Sequence, residues 1–594
     1  MARYYCNICK VYEYFDEKGD SKNNIPPGTK PEDFPDDWKC PICQADKTHM
    51  ILDDKKEDSS KGATVSDVMV ETLINWGVDT VFGMVGHSNL GLANAFRKQE
   101  EKGKLKYIGI RHEGAGAFAA SAYGKLTGKP AVCFSIAGPG ATNMLTGLWD
   151  AKMDRAPILA LVGQINAQFL GRGYFQEINL KSAYQAVSAW SQIVLKDSNH
   201  AELSALAVKN AILNRDVSSL IFPDEIQVAS TTTKSLDPDE RITPLDMVPS
   251  KDQITTAINL LQKAKKPVII VGYGAKESMP KIIEFAEKFN IPIITTFKAK
   301  GQIPDSHLLA CGVLGRSGIP VSVWAMDNAD LLLVLGASFS QHTGITDKKL
   351  TIQVDYDPNA LAKFHKIKSQ VLGDIKITMD ILMKDVSMSN ENLIPQIKEQ
   401  WEEWKKEKSV RSQKDNKKGL SSAFIFEILN KLTPSNAVIA LDVGNNTYSF
   451  GRYFECKEQT VLMSGYLGSI GFGYPAAMGA WAATPNRPII AISGDGGFGQ
   501  YLAEVTTAVK YNIPIKHILL NNSELGKISL EQKNEDLPVW KTGLHNPNFS
   551  KYAENCGALG IRVTKREELE PALKKLFENK GPGMVKIITD SLLT

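Results

Sequence analysis

The sequence contains no apolar run close to the ~18 residues that a membrane-spanning helix needs, so no membrane partner is expected. It also lacks an excess of either charge, with 69 basic against 66 acidic residues. No basic stretch is interleaved with aromatics, which argues against nucleic acid as a partner. Met1-Ala2-Arg3-Tyr4-Tyr5 runs into the first cysteine without the features of a secretory leader, so the expected location is the cytoplasm. Cysteine is scarce: eight residues, of which Cys133, Cys311, Cys456 and Cys556 are scattered singles. That usage suits a reducing compartment rather than a disulfide framework.

What is present points to several domains, because 594 residues imply roughly four at about 150 residues each. The first fifty or so residues are rich in Asp, Lys and Pro, and their few large apolar side chains need a bound metal to complete a core. Residues 52–63 are charged and lack apolar periodicity, as in a solvated tether. Helix and strand then alternate over 64–235, beginning with a helix that Ser66 is placed to cap and that runs to Trp76. A second alternating unit covers 250–385, opening on Pro267-Val268-Ile269-Ile270-Val271. Residues 386–418 read as a linker whose charged stretch 398–418, around Trp401 and Trp404, is expected to be a solvated helix, and 419–594 form the last unit. The expected architecture is α/β: three doubly wound parallel sheets after a small metal domain.

Cys6-x2-Cys9 and Cys40-x2-Cys43 are two knuckles that can converge four thiolates on one tetrahedral ion, a donor set that selects iron or zinc. The intervening Ile25-Pro26-Pro27-Gly28 and Phe34-Pro35-Asp36-Asp37-Trp38 make this segment resemble rubredoxin, which implies a single one-electron iron. Lys10 and Gln44 depart from the glycines usual after each knuckle, which bears on redox potential, since groups around the sulfurs tune it.

Gly494-Asp495-Gly496-Gly497 stands between a strand and a helix, where free amides and small residues let a diphosphate approach. Asp495 can bind a cation, and Asn522, at the end of the next strand, can offer the same Mg2+ a carbonyl oxygen. This spacing resembles the thiamine diphosphate motif. From about residue 64 onward the chain resembles the pyruvate oxidase and acetohydroxyacid synthase branch of thiamine enzymes, with pyrimidine, central and diphosphate domains in that order. The resemblance implies that Glu524 gives a backbone carbonyl to the metal and that Glu113 hydrogen-bonds the aminopyrimidine ring and activates the cofactor. It implies further that Gly468 accepts from the ring's amino group, that Ile470 wedges the cofactor into a bend, and that Gly444, Gly494, Gly496 and Gly497 line the cofactor.

By the same resemblance Phe175, Gln176, His87, Lys527 and Glu531 surround the substrate. Glu531 stands where the synthases have tryptophan, which favours the oxidase side. A lysine at 527 suits a second anionic group on the 2-oxo acid. Decarboxylation leaves two removable electrons whereas a rubredoxin iron takes one, so FAD is expected in the central domain. Its candidate contacts are Gly272, Gly274, Gly315, Asp355 and Asp374, although Ser338 and His342 replace the arginines of flavin-binding relatives. The chain's end at Thr594, without the amphipathic extension of quinone-reducing relatives, favours a soluble acceptor. A homodimer or homotetramer with shared active sites is implied. The expected activity is oxidative decarboxylation of a 2-oxo acid, pyruvate first; the alternative is a non-redox decarboxylase, carboligase or acetyltransferase with a structural metal domain.

Overall fold

The computed structural model describes residues 2–52 and 62–593. The expected tether at 52–63 falls almost wholly outside the described residues.

The N-terminal unit is small. Strands Arg3–Cys6, Glu13–Phe15 and Met50–Leu52 form an antiparallel sheet with the first strand in the middle. Its core consists of Tyr14, Ile25, Phe34, Trp38 and Met50 around Cys6 and Cys40. Phe34 meets Tyr14 edge-on at 4.8 Å and Trp38 at 5.0 Å between ring centroids, so three aromatics do most of the packing.

The large unit contains three six-stranded parallel sheets. The first runs from Thr80–Gly83 to Val217–Pro223, the second from Pro267–Val271 to Ser369–Leu372, and the third from Val438–Leu441 to Gly583–Ile588. Strands such as Leu331–Leu335 are buried along their whole length, which is why they read as continuous apolar runs rather than alternating ones. Numbered along the chain within each sheet, the first and third sheets share the order 2-1-3-4-6-5, whereas the middle sheet is 3-2-1-4-5-6. That second order is the one used by dinucleotide-binding folds, with a crevice where strand order reverses.

The first and third sheets share a core through helices Glu113–Thr127 and Gly473–Ala483. Both helices are rich in Ala and Gly, and a Cβ at Gly479 would lie 2.0 Å from the carbonyl oxygen of Ala119, so only glycine permits this approach. Phe118 meets Phe472 edge-on beside it at 5.7 Å.

Two local expectations are corrected. The first helix of the large unit spans Val65–Asn75 and is capped by Thr64, not Ser66: Thr64 Oγ1 accepts from Asp67 N while Asp67 receives Thr64 N, a reciprocal box that leaves Ser66 buried within the first turn. The charged segment after 386 is the helix Ile394–Gln413, and it is not wholly solvated. Trp404 is buried and stacks on Tyr453, and Trp401 Nε1 donates to Ala310 O at 2.8 Å. Among the described residues no helix is long and apolar enough to cross a membrane.

Candidate functional site

In the N-terminal unit the four knuckle cysteines place their sulfurs within 4.8 Å of one another. Cys6 and Cys43 lie 3.6 Å apart and Cys9 and Cys40 3.8 Å apart, edges suited to a tetrahedron of thiolates around one ion. Each knuckle closes with an amide on its first cysteine's carbonyl, Lys10 N on Cys6 O and Gln44 N on Cys40 O. Lys10 and Gln44 adopt φ of 53° and 62°, so both keep the left-handed conformation that glycine usually supplies.

In the large unit, the third sheet ends in a cluster of amides and acids. Gly444 and Gly494 open short helices, and among the described residues neither has a side chain capping its first-turn amides. Around them converge Asn446, 3.0 Å from a Cβ at Gly444, and Asn445 and Asn522, each within 3 Å of a Cβ at Gly526. Buried Asp495 accepts from Asn546 Nδ2 at 2.5 Å; burial raises its carboxyl pKa, and that hydrogen bond opposes the rise. Asn522 Oδ1 accepts from Glu524 N at 3.1 Å, and Ser523 between them has φ of 58°. The Glu524 carboxylate is turned onto Ser529, so only its backbone faces this turn. First-turn amides, glycine approach and hard oxygen donors around one acid fit a diphosphate with its cation.

Gly468 lies in the loop before the helix Gly473–Ala483, with φ of +67° and open space where a Cβ would stand. Ile470 is 37% exposed, so it is not a core residue. Asp442, beneath this loop, is fully buried. Its Oδ1 accepts from Gly471 N at 2.9 Å, Oδ2 has no partner among the described residues, and burial pushes its pKa up to about 7. A Cβ at Gly497 would approach that oxygen to 2.6 Å.

On the first sheet, Glu113 opens its helix and is buried. Its Oε2 accepts from Asn143 Nδ2 at 3.0 Å, and its Oε1 would crowd a Cβ at Gly140. The turn before it is held from the third sheet's side, where Glu504 Oε1 accepts both Arg111 N and His112 N at 2.9 Å. His87 and Phe175 stack at 6.3 Å, and Gln176, with φ of 62°, packs against Gly138 and has its Oε1 buried with no partner among the described residues. Lys527 pairs with Glu531 at 3.1 Å along one helix and lies over the Tyr448 ring. The structure thus groups Glu113 and Gln176 with the Gly138–Asn143 turn, His87 with Phe175, and Lys527 with Glu531. Among the described residues no hydrogen bond joins Glu113 to the Asp495 cluster.

The candidate flavin contacts all follow or end strands of the middle sheet, and all have partners within the chain. A Cβ at Gly272 would stand 2.0 Å from Gly336 O, one at Gly274 3.1 Å from Gly336 Cα, and one at Gly315 2.1 Å from His342 O. Asp355 holds the amide of Asp357, and Asp374 caps the helix Ile375–Asp385. Each of the five residues thus has a packing or capping role within the chain. An open surface groove lined by Lys363, His365 and Lys366 lies beside the last strand of this sheet.

Sequence reasoning missed Glu504, Asn143, Asn546 and Asp442. Asn445-Asn446, directly after Gly444, carried a local signal; the others act through tertiary contacts that no spacing announces.

Comparison with known proteins agrees with this layout. Residues 63–183 match the N-terminal TPP binding domain of thiamine pyrophosphate enzymes, 254–382 their central domain and 442–587 their C-terminal TPP binding domain, while 3–50 match rubredoxin. YdaP of Bacillus subtilis, provisionally described as a thiamine pyrophosphate-containing protein, is 34% identical over 88% of this chain and 91% of its own. The acetolactate synthase large subunit of Corynebacterium glutamicum is 31% identical over 88% and 86%, and the chloroplastic acetolactate synthase 1 of Nicotiana tabacum is 29% identical over 92% and 84%. The chain therefore belongs to the thiamine pyrophosphate enzyme family, and carries a rubredoxin domain with a four-cysteine site at its N-terminus.

Proposed function

We propose that this enzyme oxidatively decarboxylates a 2-oxo acid, pyruvate first, and delivers the electrons through FAD to an iron held by Cys6, Cys9, Cys40 and Cys43. The observation that carries the reading is the fusion itself: four converging thiolates on the same chain as a thiamine pyrophosphate enzyme body. A soft S4 site is suited to electron transfer, and a ligase has no use for a carrier. The proposed domains are 1–51, 64–235, 250–385 and 419–594, in a cytoplasmic homodimer or homotetramer.

When bound, thiamine diphosphate supplies the carbon nucleophile and electron sink for decarboxylation. The chain's own groups do the rest. Glu113 offers Oε1 to the aminopyrimidine ring while Asn143 fixes its other oxygen. Asp495, Asn522 and the Glu524 carbonyl hold Mg2+, and Gly444, Gly494, Gly496 and Gly497 let the diphosphate meet backbone amides. Gly468 and Ile470 orient the ring system. Gln176, with its buried Oε1, and His87 and Phe175 face the substrate, and Lys527, balanced by Glu531, meets a carboxylate. The crevice of the 3-2-1-4-5-6 sheet is where the chain would hold FAD, which would supply the exchange between two-electron and one-electron chemistry.

A second reading, non-redox decarboxylation or carboligation, is favoured by the names of the synthase relatives and by the intrachain partners of all five flavin candidates. The visible spectrum of anaerobic protein, with metal analysis, separates them. Iron and flavin bands that bleach on adding pyruvate support the redox reading. Zinc with no flavin refutes it.

A further inference from the structure

The loop from Met463 to Phe472 carries Gly468 and Ile470, and its start is gripped by a buried charge cluster from the other two domains. Asp154, the last residue of the helix Leu145–Asp154, is 3% exposed. Each of its carboxylate oxygens accepts one ammonium and one loop amide. Oδ1 takes Lys298 Nζ at 2.6 Å and Tyr466 N at 3.2 Å; Oδ2 takes Lys125 Nζ at 2.7 Å and Gly465 N at 3.0 Å. Lys125 is fully committed as well, donating to Asp150 Oδ2 at 2.7 Å, to Asp154 and to Met463 O at 2.9 Å, with the Phe472 ring 4.4 Å away. Lys298 lies across Gly465, where a Cβ would stand 2.3 Å from its Cδ. Burial alone would raise the Asp154 carboxyl, but the two ammonium groups outweigh it and hold it below the usual carboxylate range.

Two lysines and two aspartates balance in charge, so the cluster tolerates burial that an unpaired member would not. Its output is directional. Every backbone group it holds outside the first domain's helices and the middle domain's Lys298 lies at 463–466, immediately before the residues proposed to contact the cofactor. The far end of the loop is held separately, by Asp442 on Gly471 N. Between these anchors Tyr466, Leu467 and Ile470 are exposed.

We propose that Asp154 is a positioning residue for the cofactor: it sets the height of the 465–470 loop, and Lys298 ties that setting to the central domain. The proposal rests on the thiamine reading of this loop. Asp150 provides the control, because it shares Lys125 with Asp154 but touches no loop amide; its other partner is Ser121 Oγ at 2.6 Å.

The test uses the full chain freed of cofactor and titrated with thiamine diphosphate and Mg2+, followed by tryptophan fluorescence, with the thermal midpoint recorded in parallel. Asp154→Asn is expected to weaken binding by about tenfold or more, because one loop amide then faces an NH2 group. Asp154→Glu keeps the charge and the ion pairs but moves the carboxylate, and is expected to weaken binding several-fold while folding normally. Asp150→Asn should stay within about twofold of the unaltered protein even if its midpoint falls. Equal losses in Asp150→Asn and Asp154→Asn, or unaltered binding by Asp154→Glu, would overturn the proposal. If the unaltered chain does not bind thiamine diphosphate, the reading of the loop falls with it. Should Asp154→Asn not fold, Asp154→Glu against Asp150→Asn decides.

Discussion

Replacement of Asp442 by asparagine should remove a pH dependence from the stability of the protein. Burial raises this carboxyl from an ordinary 3.8 to about 7, and backbone amides, Val443 and Gly471 among them, only partly offset it. Between these two values the folded chain holds a proton that the unfolded chain has released. Stability must therefore fall as pH rises from about 4 to about 7, by about 1.4 kcal/mol per unit, and level off above; the full span is roughly 4 kcal/mol. Asparagine cannot ionise, so it has no such slope. Its amide would face Gly497 unpartnered, at a cost of about 1–3 kcal/mol that does not vary with pH. The slope, not the offset, is thus the prediction. Urea unfolding of both proteins at several pH values, read as the difference between them, should show the variant gaining steadily on the parent up to neutrality. Parallel curves would mean that Asp442 is ionised throughout and that its second oxygen has a partner.

Other outcomes follow from single contacts. Glu504→Ala should lower turnover more than cofactor affinity, because two charge-assisted bonds to the turn before Glu113, worth about 1.5–3 kcal/mol each, are lost while the Asp495 cluster is untouched; a variant with full turnover would refute that role. Gly479→Val drives a side chain into Ala119 O and should cost at least 1–3 kcal/mol, roughly the price of overpacking, read as a lower thermal midpoint. Cys40→Ser should abolish stoichiometric iron and its thiolate absorption, with decarboxylation continuing slowly; undiminished reduction of one-electron acceptors would exclude the built-in relay.

The alternation of strands and helices was legible because parallel strands covered on both faces must be apolar throughout, as at Pro267–Val271 and Leu331–Leu335. The cofactor and metal signatures were legible for a related reason: Gly494-Asp495-Gly496 and the Cys-x2-Cys knuckles act through their own backbone turns, so sequence spacing is also geometry. The order of the sheets was not, since it depends on which strands pair. Glu504, Asp154 and Asn546 escaped because each acts on a backbone group or acid far away in the chain. Ser66 misled because the Thr64–Asp67 box competes for the same turn. Gly272, Gly274 and Gly315 can be read two ways from the sequence, because a glycine needed for close approach of the chain to itself has the same one-letter signature as one needed for a nucleotide.

The two halves of the proposed site also share an unfinished character. Phe175 on the first sheet's side is 72% exposed, and on the third sheet's side Ile470 is 37% exposed. Covering a large apolar side chain is worth about 1.5–3 kcal/mol, so these residues favour a cover at both halves. Among the described residues no hydrogen bond links Glu113 to the Asp495 cluster, and the prediction is that a second copy, laying its first domain over the diphosphate half, covers both patches and completes two sites by symmetry. Cofactor affinity should then depend on protein concentration. Dilution through the dissociation range, followed by analytical ultracentrifugation and by thiamine diphosphate binding, should lose dimer and affinity together. A chain that binds equally well as a monomer would show that Glu113 and Asp495 serve the same cofactor within one subunit.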